Sequence, residues 1–346
     1  IALSSVYYEM FIAKHFESEP DTFQEIPREK LNEFVTSNIA LYLNLVHERV
    51  DHETENGDCR ILLRALDRLN RRLCAMKDFN GVKISSTAMQ LILHSIQQFS
   101  QKQYRQLKDS FNEKLSSLRL TLVTTVKNNG DSATNLNQLI DALYENTIEK
   151  VKNVLQELAI FLNPEWSFNI KTDRKGMLCV EAIRDQVLIT FLRYASSTMT
   201  SFSSINSSSP SNLLLVLMKM CLKMEKSGVR TLLMFFDELY EVDSDSSSAL
   251  SYETEISSEV YDAAKILLDA YVRVQGMTTS QMFRKSVETR DWINCLEPRS
   301  VRAVMKRVVD DLTAIENTLE QLLDSELQPG ISKSCSDSSK KNPQSF

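Results

Sequence analysis

Apolar residues recur at steps of three and four along most of the chain, the spacing that places them on one face of an α-helix. The run at 4–16, SSVYYEMFIAKHF, already has this rhythm, and further helices are predicted over 28–53, 60–76, 85–126 and 135–162. Within 60–76 the stripe is Leu62, Leu66, Leu69, Leu73 and Met76. The helix predicted over 85–126 is built on Ile92, Ile96, Phe99, Tyr104, Leu107, Phe111, Leu115, Leu118 and Leu122. At 1.5 Å per residue it spans about 60 Å, more than the width of a small domain. The five-residue step from Phe99 to Tyr104 breaks the rhythm and predicts a local change of supercoil. The helix over 135–162 carries Leu136, Leu139, Leu143, Ile148, Val151, Leu155, Leu158 and Leu162 and is expected to return antiparallel to it.

Polar breaks separate these segments. Asn56-Gly57-Asp58 and Asn128-Asn129-Gly130-Asp131 read as turns, and 201–211 and 242–250 read as serine-rich loops. Helices are predicted between those loops over 212–226 and 229–241. A later helix runs from about Thr279 to Leu296, where Pro298 ends it by driving Glu297 out of helical backbone space and withholding an N–H. Pro298 then opens a second helix with the apolar stripe Val301, Val304, Met305, Val308, Leu312 and Ile315, expected to carry the packing. The stretch 163–176 reads as a boundary. The expected fold class is therefore all-α: an elongated rod of stacked antiparallel helical bundles, with modules at 1–163 and 166–324 and a disordered tail at 325–346.

Composition narrows the function. Seven glycines and seven prolines in 346 residues are too few for a turn-dense β fold. Cys59, Cys74, Cys179, Cys221, Cys295 and Cys335 are scattered, without a C-x-x-C pair, which reads as a reduced cytosolic chain. The best apolar run, Leu213–Met218, is far short of the roughly 18 residues of a membrane span. Ile1 is not an initiator methionine, so the chain is expected to be a piece of a longer protein. The net charge of -6 argues against nucleic acid as a partner.

Charge is unevenly distributed. No basic residue lies between Arg230 and Lys265, whereas Asp237, Glu238, Glu241, Asp243, Asp245, Glu253, Glu255, Glu259 and Asp262 are acidic.

 Basic residues cluster elsewhere. Arg60, Arg64, Arg68, Arg71 and Arg72 form a ridge opposite the leucine stripe, a candidate lipid-facing surface or a solvated outer face. Arg284, Lys285, Arg290, Arg299, Arg302, Lys306 and Arg307 outnumber Glu288, Asp291 and Glu297 and form a candidate partner-docking cluster, with the acidic stretch 237–262 as the alternative intramolecular partner.

Catalytic chemistry finds little support. LLMFFDE at 232–238 imitates the strand and acidic pair that hold magnesium in nucleotide hydrolases, yet no G-x-x-x-x-G-K-[ST] loop exists, and the run fits a core helix. His47 and His52 in HERVDH are five apart, where ligands on one helical face must be four apart. His15 and His94 stand alone in the sequence. The expectation is no catalytic residue, no cofactor and no metal site.

The string RKSVETRDWINCLEPRSVRAVMKRVVDD, together with YDAAKILLDAYVRVQG, closely resembles the vacuolar protein sorting-associated protein 51 family. The resemblance is strongest over 259–316 and continues as a compatible helical pattern over 1–254. It implies a subunit that catalyses nothing and serves two vesicle-tethering assemblies, the Golgi-associated retrograde protein complex and the endosome-associated recycling protein complex. The partners implied are vacuolar protein sorting-associated proteins 52, 53 and 54, syndetin, SNAREs and small GTPases, at the cytosolic face of the trans-Golgi network and recycling endosomes. In the family a coiled-coil region precedes this segment and carries the SNARE contact and much of the assembly surface. The rival readings are another helical-rod tether, of exocyst or conserved oligomeric Golgi type, and a peripheral membrane-binding helical module.

Overall fold

A computed structural model describes residues 28–56, 58–75, 84–125, 132–168, 174–204, 210–242, 247–288 and 299–324. The expected all-α class holds, with no strand among the described residues. The helices are α1 (Arg28–Asn56), α2 (Cys59–Ala75), α3 (Ile84–Thr125), α4 (Ser132–Ala159), α5 (Arg174–Ile183), α6 (Thr190–Ser201), α7 (Ser211–Lys223), α8 (Val229–Tyr240), α9 (Ser247–Glu288) and α10 (Arg299–Asp324). A 3₁₀ turn, Ile160–Leu162, ends α4, and π turns join α5 to α6 (Arg184–Ile189) and α7 to α8 (Met224–Gly228). The opening segment 4–16, Trp292, Cys295, Pro298 and the tail 325–346 lie outside the described residues.

The chain divides into two compact units, one made of Ile1–Glu113, Asn146–Ala195 and Ser227–Ser257, the other of Lys114–Glu145, Ser196–Lys226 and Ser258–Phe346. In the first, Leu73 of α2 and Ala88 and Leu91 of α3 form a buried cluster against which Tyr42, Leu43 and Val46 of α1 pack. Aromatic pairs extend that core. Phe99 meets Phe161 at 5.1 Å between ring centroids, and Phe111 meets Phe191 edge-on at 5.7 Å, geometries that suit the ring quadrupoles. The buried Tyr240 hydroxyl donates to the Leu155 carbonyl at 2.9 Å, tying α8 to α4, and Asn112 Nδ2 donates to the Tyr194 hydroxyl at 2.7 Å. Gln103 rather than Tyr104 occupies the buried seam of α3, where its carboxamide donates to Glu157 at 2.7 Å. A polar side chain with a partner can be buried at modest cost.

In the second unit α7 is the central element. Residues Leu213 to Cys221 are all buried, as expected of a helix that is apolar on every side. Leu115, Leu118 and Leu122 of α3, Leu136, Ile140 and Leu143 of α4, and Val260, Leu267 and Tyr271 of α9 complete its core. Lys223 pairs with Asp141 at 2.6 Å and lies 4.4 Å from the Tyr144 ring centroid.

Two local backbone features mark α7 and α8. Gly228 does not break the backbone between α7 and α8, which stays helical through the π turn, because apolar runs on both sides hold it in place through burial. The end of α8 takes the left-handed conformation at Glu241 (φ 53), where glycine is the usual residue, and the Val242 N–H closes the helix on the Asp237 carbonyl at 3.0 Å.

Candidate docking surfaces

Helix α2 begins where the Asp58 carboxylate accepts the Arg60 N–H at 2.9 Å, an N-cap that satisfies one of the free donors of the first turn. Leu62, Leu63, Leu66 and Leu73 are buried, and Arg60, Arg64, Arg68, Arg71 and Arg72 are exposed, so the anticipated ridge exists as a surface. The turn after α4 holds this helix down. Asp67 accepts the Ser167 N–H at 2.7 Å and the Arg71 Nε–H at 3.0 Å, and Asn70 Nδ2 donates to Ser167 Oγ at 3.2 Å. Burial pulls the Asp67 carboxyl up, but the hydrogen bonds from Ser167 and the charge of Arg71 outweigh it and hold it below the usual range. Arg60, Arg64, Arg68 and Arg72 have no ion pair among the described residues. The ridge is thus a row of exposed guanidinium groups, of which Arg71 alone has an ion pair among the described residues.

The turn itself, expected as a boundary, is ordered by local chemistry. Asn163 Oδ1 accepts the Glu165 N–H at 3.1 Å, and the Trp166 indole N–H donates to the Ile160 carbonyl at 2.9 Å while its ring stacks on buried Phe168.

The second basic cluster is only partly described. Arg284 and Lys285 are exposed near the end of α9, with Arg284 Nε 3.9 Å from Glu288. Lys306 and Arg307 are exposed on α10. Arg299 and Arg302 lie on α10 with side chains outside the described set, and Arg290 lies outside the described residues altogether. Three members of the acidic stretch meet cations outside that cluster. Arg184, buried in the first π turn, contacts the Tyr252 ring and partly offsets the burial that raises the Asp237 carboxyl. Glu255 pairs with Arg193 at 2.6 Å, and Asp262 with Lys265 at 3.4 Å.

Of the apolar stripe read on α10, Val308 and Ile315 are half-buried, Met305 and Leu312 are exposed, and the side chains of Val301 and Val304 lie outside the described residues. Met305 is 46% exposed, Leu312 50%, and the neighbouring Val309 55%. None of the described side chains from 305 to 320 is buried, nor any from 272 to 288 on α9. Periodicity identified the apolar face correctly, but none of its described side chains is fully buried. Exposed apolar residues thus lie beside Lys306 and Arg307 on α10.

LLMFFDE lies in α8, a helix as expected, with Leu232, Leu233 and Phe236 buried. Burial pushes the thiols of Cys59 and Cys179 up to about 11 and that of Cys221 to about 12, so these three are poor nucleophiles. Among the described cysteines only Cys74 is exposed. The histidines depart from the sequence picture: His52 is exposed, whereas His94 of α3 meets His47 and Asp51 of α1. The H-x-x-x-D spacing of His47 and Asp51 was a readable signal. Its third member was not, since only tertiary packing brings His94 to it.

No protein-family model matches the chain, and no solved structure matches it. Comparison with curated proteins does find relatives. The vacuolar protein sorting-associated protein 51 homolog of Drosophila melanogaster is 50% identical over 317 residues, covering 91% of this chain and 43% of that protein. The homolog of Danio rerio is 32% identical over 360 residues, covering 97% and 43%, and that of Homo sapiens is 33% identical over 319 residues, covering 90% and 40%. The chain therefore spans about two-fifths of the length of these relatives.

Proposed function

The chain belongs to the vacuolar protein sorting-associated protein 51 family, and from that premise we propose that it is the helical part of a non-enzymatic vesicle-tethering subunit. The proposed assemblies are the Golgi-associated retrograde protein and endosome-associated recycling protein complexes, acting in endosome-to-Golgi retrograde transport and endosomal recycling. The proposed partners are vacuolar protein sorting-associated proteins 52, 53 and 54, syndetin, SNAREs and small GTPases, at the cytosolic face of the trans-Golgi network and recycling endosomes. The observation that carries this reading is 50% identity sustained over nine-tenths of the chain, far more specific than shared helical architecture.

The mechanism is docking. On α10, Met305, Val309 and Leu312 supply apolar area, and Lys306 and Arg307 supply charge that steers the encounter and fixes orientation. The test is complementation in cells lacking the protein. Wild-type full-length protein restores delivery of endosomal cargo to the Golgi, and the combined Val309→Asp and Leu312→Asp variant is expected to fail while remaining folded. Normal delivery by that variant would remove α10 from the docking role.

A second reading is favoured by the exposed arginines of α2, four of which have no ion pair among the described residues. Arg60, Arg64, Arg68, Arg71 and Arg72 suit the anionic headgroups of a membrane surface. No helix among the described residues is long and apolar enough to cross a membrane. Flotation with phosphatidylserine vesicles tests it: binding lost on charge reversal of the five arginines supports the reading, and no flotation at low salt excludes it.

A further inference from the structure

His47 and Asp51 are one helical turn apart on α1 and therefore share a face. His94 reaches that face from α3. The His94 Nε2 to Asp51 Oδ1 distance is 3.2 Å, the two imidazole centroids are 4.5 Å apart, and one ligand atom from each of the three residues lies within 4.8 Å of the others. We infer that His47, Asp51 and His94 form a binding site for one divalent first-row transition-metal ion of the Zn²⁺ type, which clasps α1 to α3.

Geometry and donor chemistry both support the site. With metal–nitrogen distances of about 2.0–2.1 Å, ligand atoms around a tetrahedral ion are about 3.3 Å apart. The His94–Asp51 edge already has that length, and His47 needs only a small closing movement. A simple His94–Asp51 ion pair leaves one fact unexplained: His47 Nδ1 is buried and has no hydrogen-bond partner among the described residues. An unsatisfied buried polar atom is unfavourable. Coordination relieves it, either through that nitrogen or after rotation of the ring. Two imidazoles and a carboxylate suit Zn²⁺, Co²⁺, Ni²⁺ or Cu²⁺, whereas Mg²⁺ and Ca²⁺ favour oxygen donors. Three protein ligands leave a position for water, and a recess of about 380 Å³ lined by Leu43, Asn44, His47, Gln90, Leu91 and His94 provides room beside the ion.

The test uses metal-free full-length protein titrated with Zn²⁺ by calorimetry, and with Co²⁺ followed by visible absorption. One equivalent of each ion is expected to bind at this site, with Mg²⁺ failing to compete. His94→Gln, His47→Gln and Asp51→Asn are each expected to weaken that binding by about 100-fold or more, since even outer partners of metal ligands contribute 10- to 100-fold. His52→Gln and Cys74→Ser are controls expected to leave it unchanged. Circular dichroism of each metal-free variant checks folding, and Asp51→Asn, nearly isosteric and on a half-exposed side chain, keeps the test usable if a histidine variant unfolds. Absence of uptake, uptake indifferent to His94→Gln in a folded protein, or a thiolate-to-cobalt absorption band lost in Cys74→Ser would overturn the site.

Discussion

Removing the Asp67 carboxylate should loosen α2 from the turn that follows α4, and the structure says by how much. Asp67 receives the Ser167 N–H at 2.7 Å and the Arg71 Nε–H at 3.0 Å. Arg71 is 64% exposed, so its ion pair is worth at most about 0.5 kcal/mol after solvent screening. The Ser167 bond is charge-assisted, and such bonds contribute about 1.5–3 kcal/mol. The Ser167 contact therefore dominates. Asp67→Ala is expected to destabilise the first unit by about 2 kcal/mol, and Asp67→Asn, which keeps an acceptor without the charge, by about half as much. The carboxyl is held below its ordinary value in the folded protein. Its contribution is accordingly complete above the unfolded value of about 3.9 and is lost as pH falls through the lower folded value. Urea unfolding followed by circular dichroism at pH 7 and at steps below pH 4 measures both effects. The gap between wild type and Asp67→Asn should narrow in acid. A gap that is absent at pH 7, or unchanged down to the lowest pH at which the protein folds, would refute the assignment.

Other outcomes follow from burial and exposure. Among the four described cysteines, Cys74 should react with maleimide at pH 7.5 much faster than Cys59, Cys179 and Cys221, whose thiols are pushed up to about 11, 11 and 12; peptide mass spectrometry reads the order, and rapid labelling of Cys221 in folded protein would contradict the packing. Val309→Asp with Leu312→Asp should change stability by no more than about 0.5 kcal/mol per site, because both side chains are half-exposed; a large loss in urea unfolding would show that the face is covered within the chain. Replacing Arg299, Arg302, Lys306 and Arg307 with glutamate should leave the melting temperature nearly unchanged while cargo delivery in complemented cells fails. A fall in melting temperature that salt suppresses would instead indicate pairing within the chain.

Helical periodicity made most of the fold legible. Ile92, Ile96, Phe99, Leu107, Phe111, Leu115, Leu118 and Leu122 were read as one seam and are all buried. The seam's polar member was missed because hydropathy ranks Gln103 as surface, and only its contact with Glu157 makes burial tolerable. For α10 the sequence identified the apolar face but not whether anything covers it: periodicity reports chemistry, and exposure depends on neighbours. The arginine ridge of α2 was readable because charge and leucines alternate on one helix. The His47–Asp51–His94 cluster was not, since 43 residues separate Asp51 from His94. Family membership was legible in the wording of 259–316, where the apolar pattern alone specifies only helices.

The proposed role within a tethering complex of the vacuolar protein sorting-associated protein 51 kind can be tested by purifying tagged full-length protein from cells under gentle conditions and identifying what accompanies it by mass spectrometry. Stoichiometric vacuolar protein sorting-associated proteins 52 and 53 are expected, with protein 54 in one population and syndetin in another. Recovery of exocyst or conserved oligomeric Golgi subunits in their place, or of no stoichiometric partner at all, would contradict it.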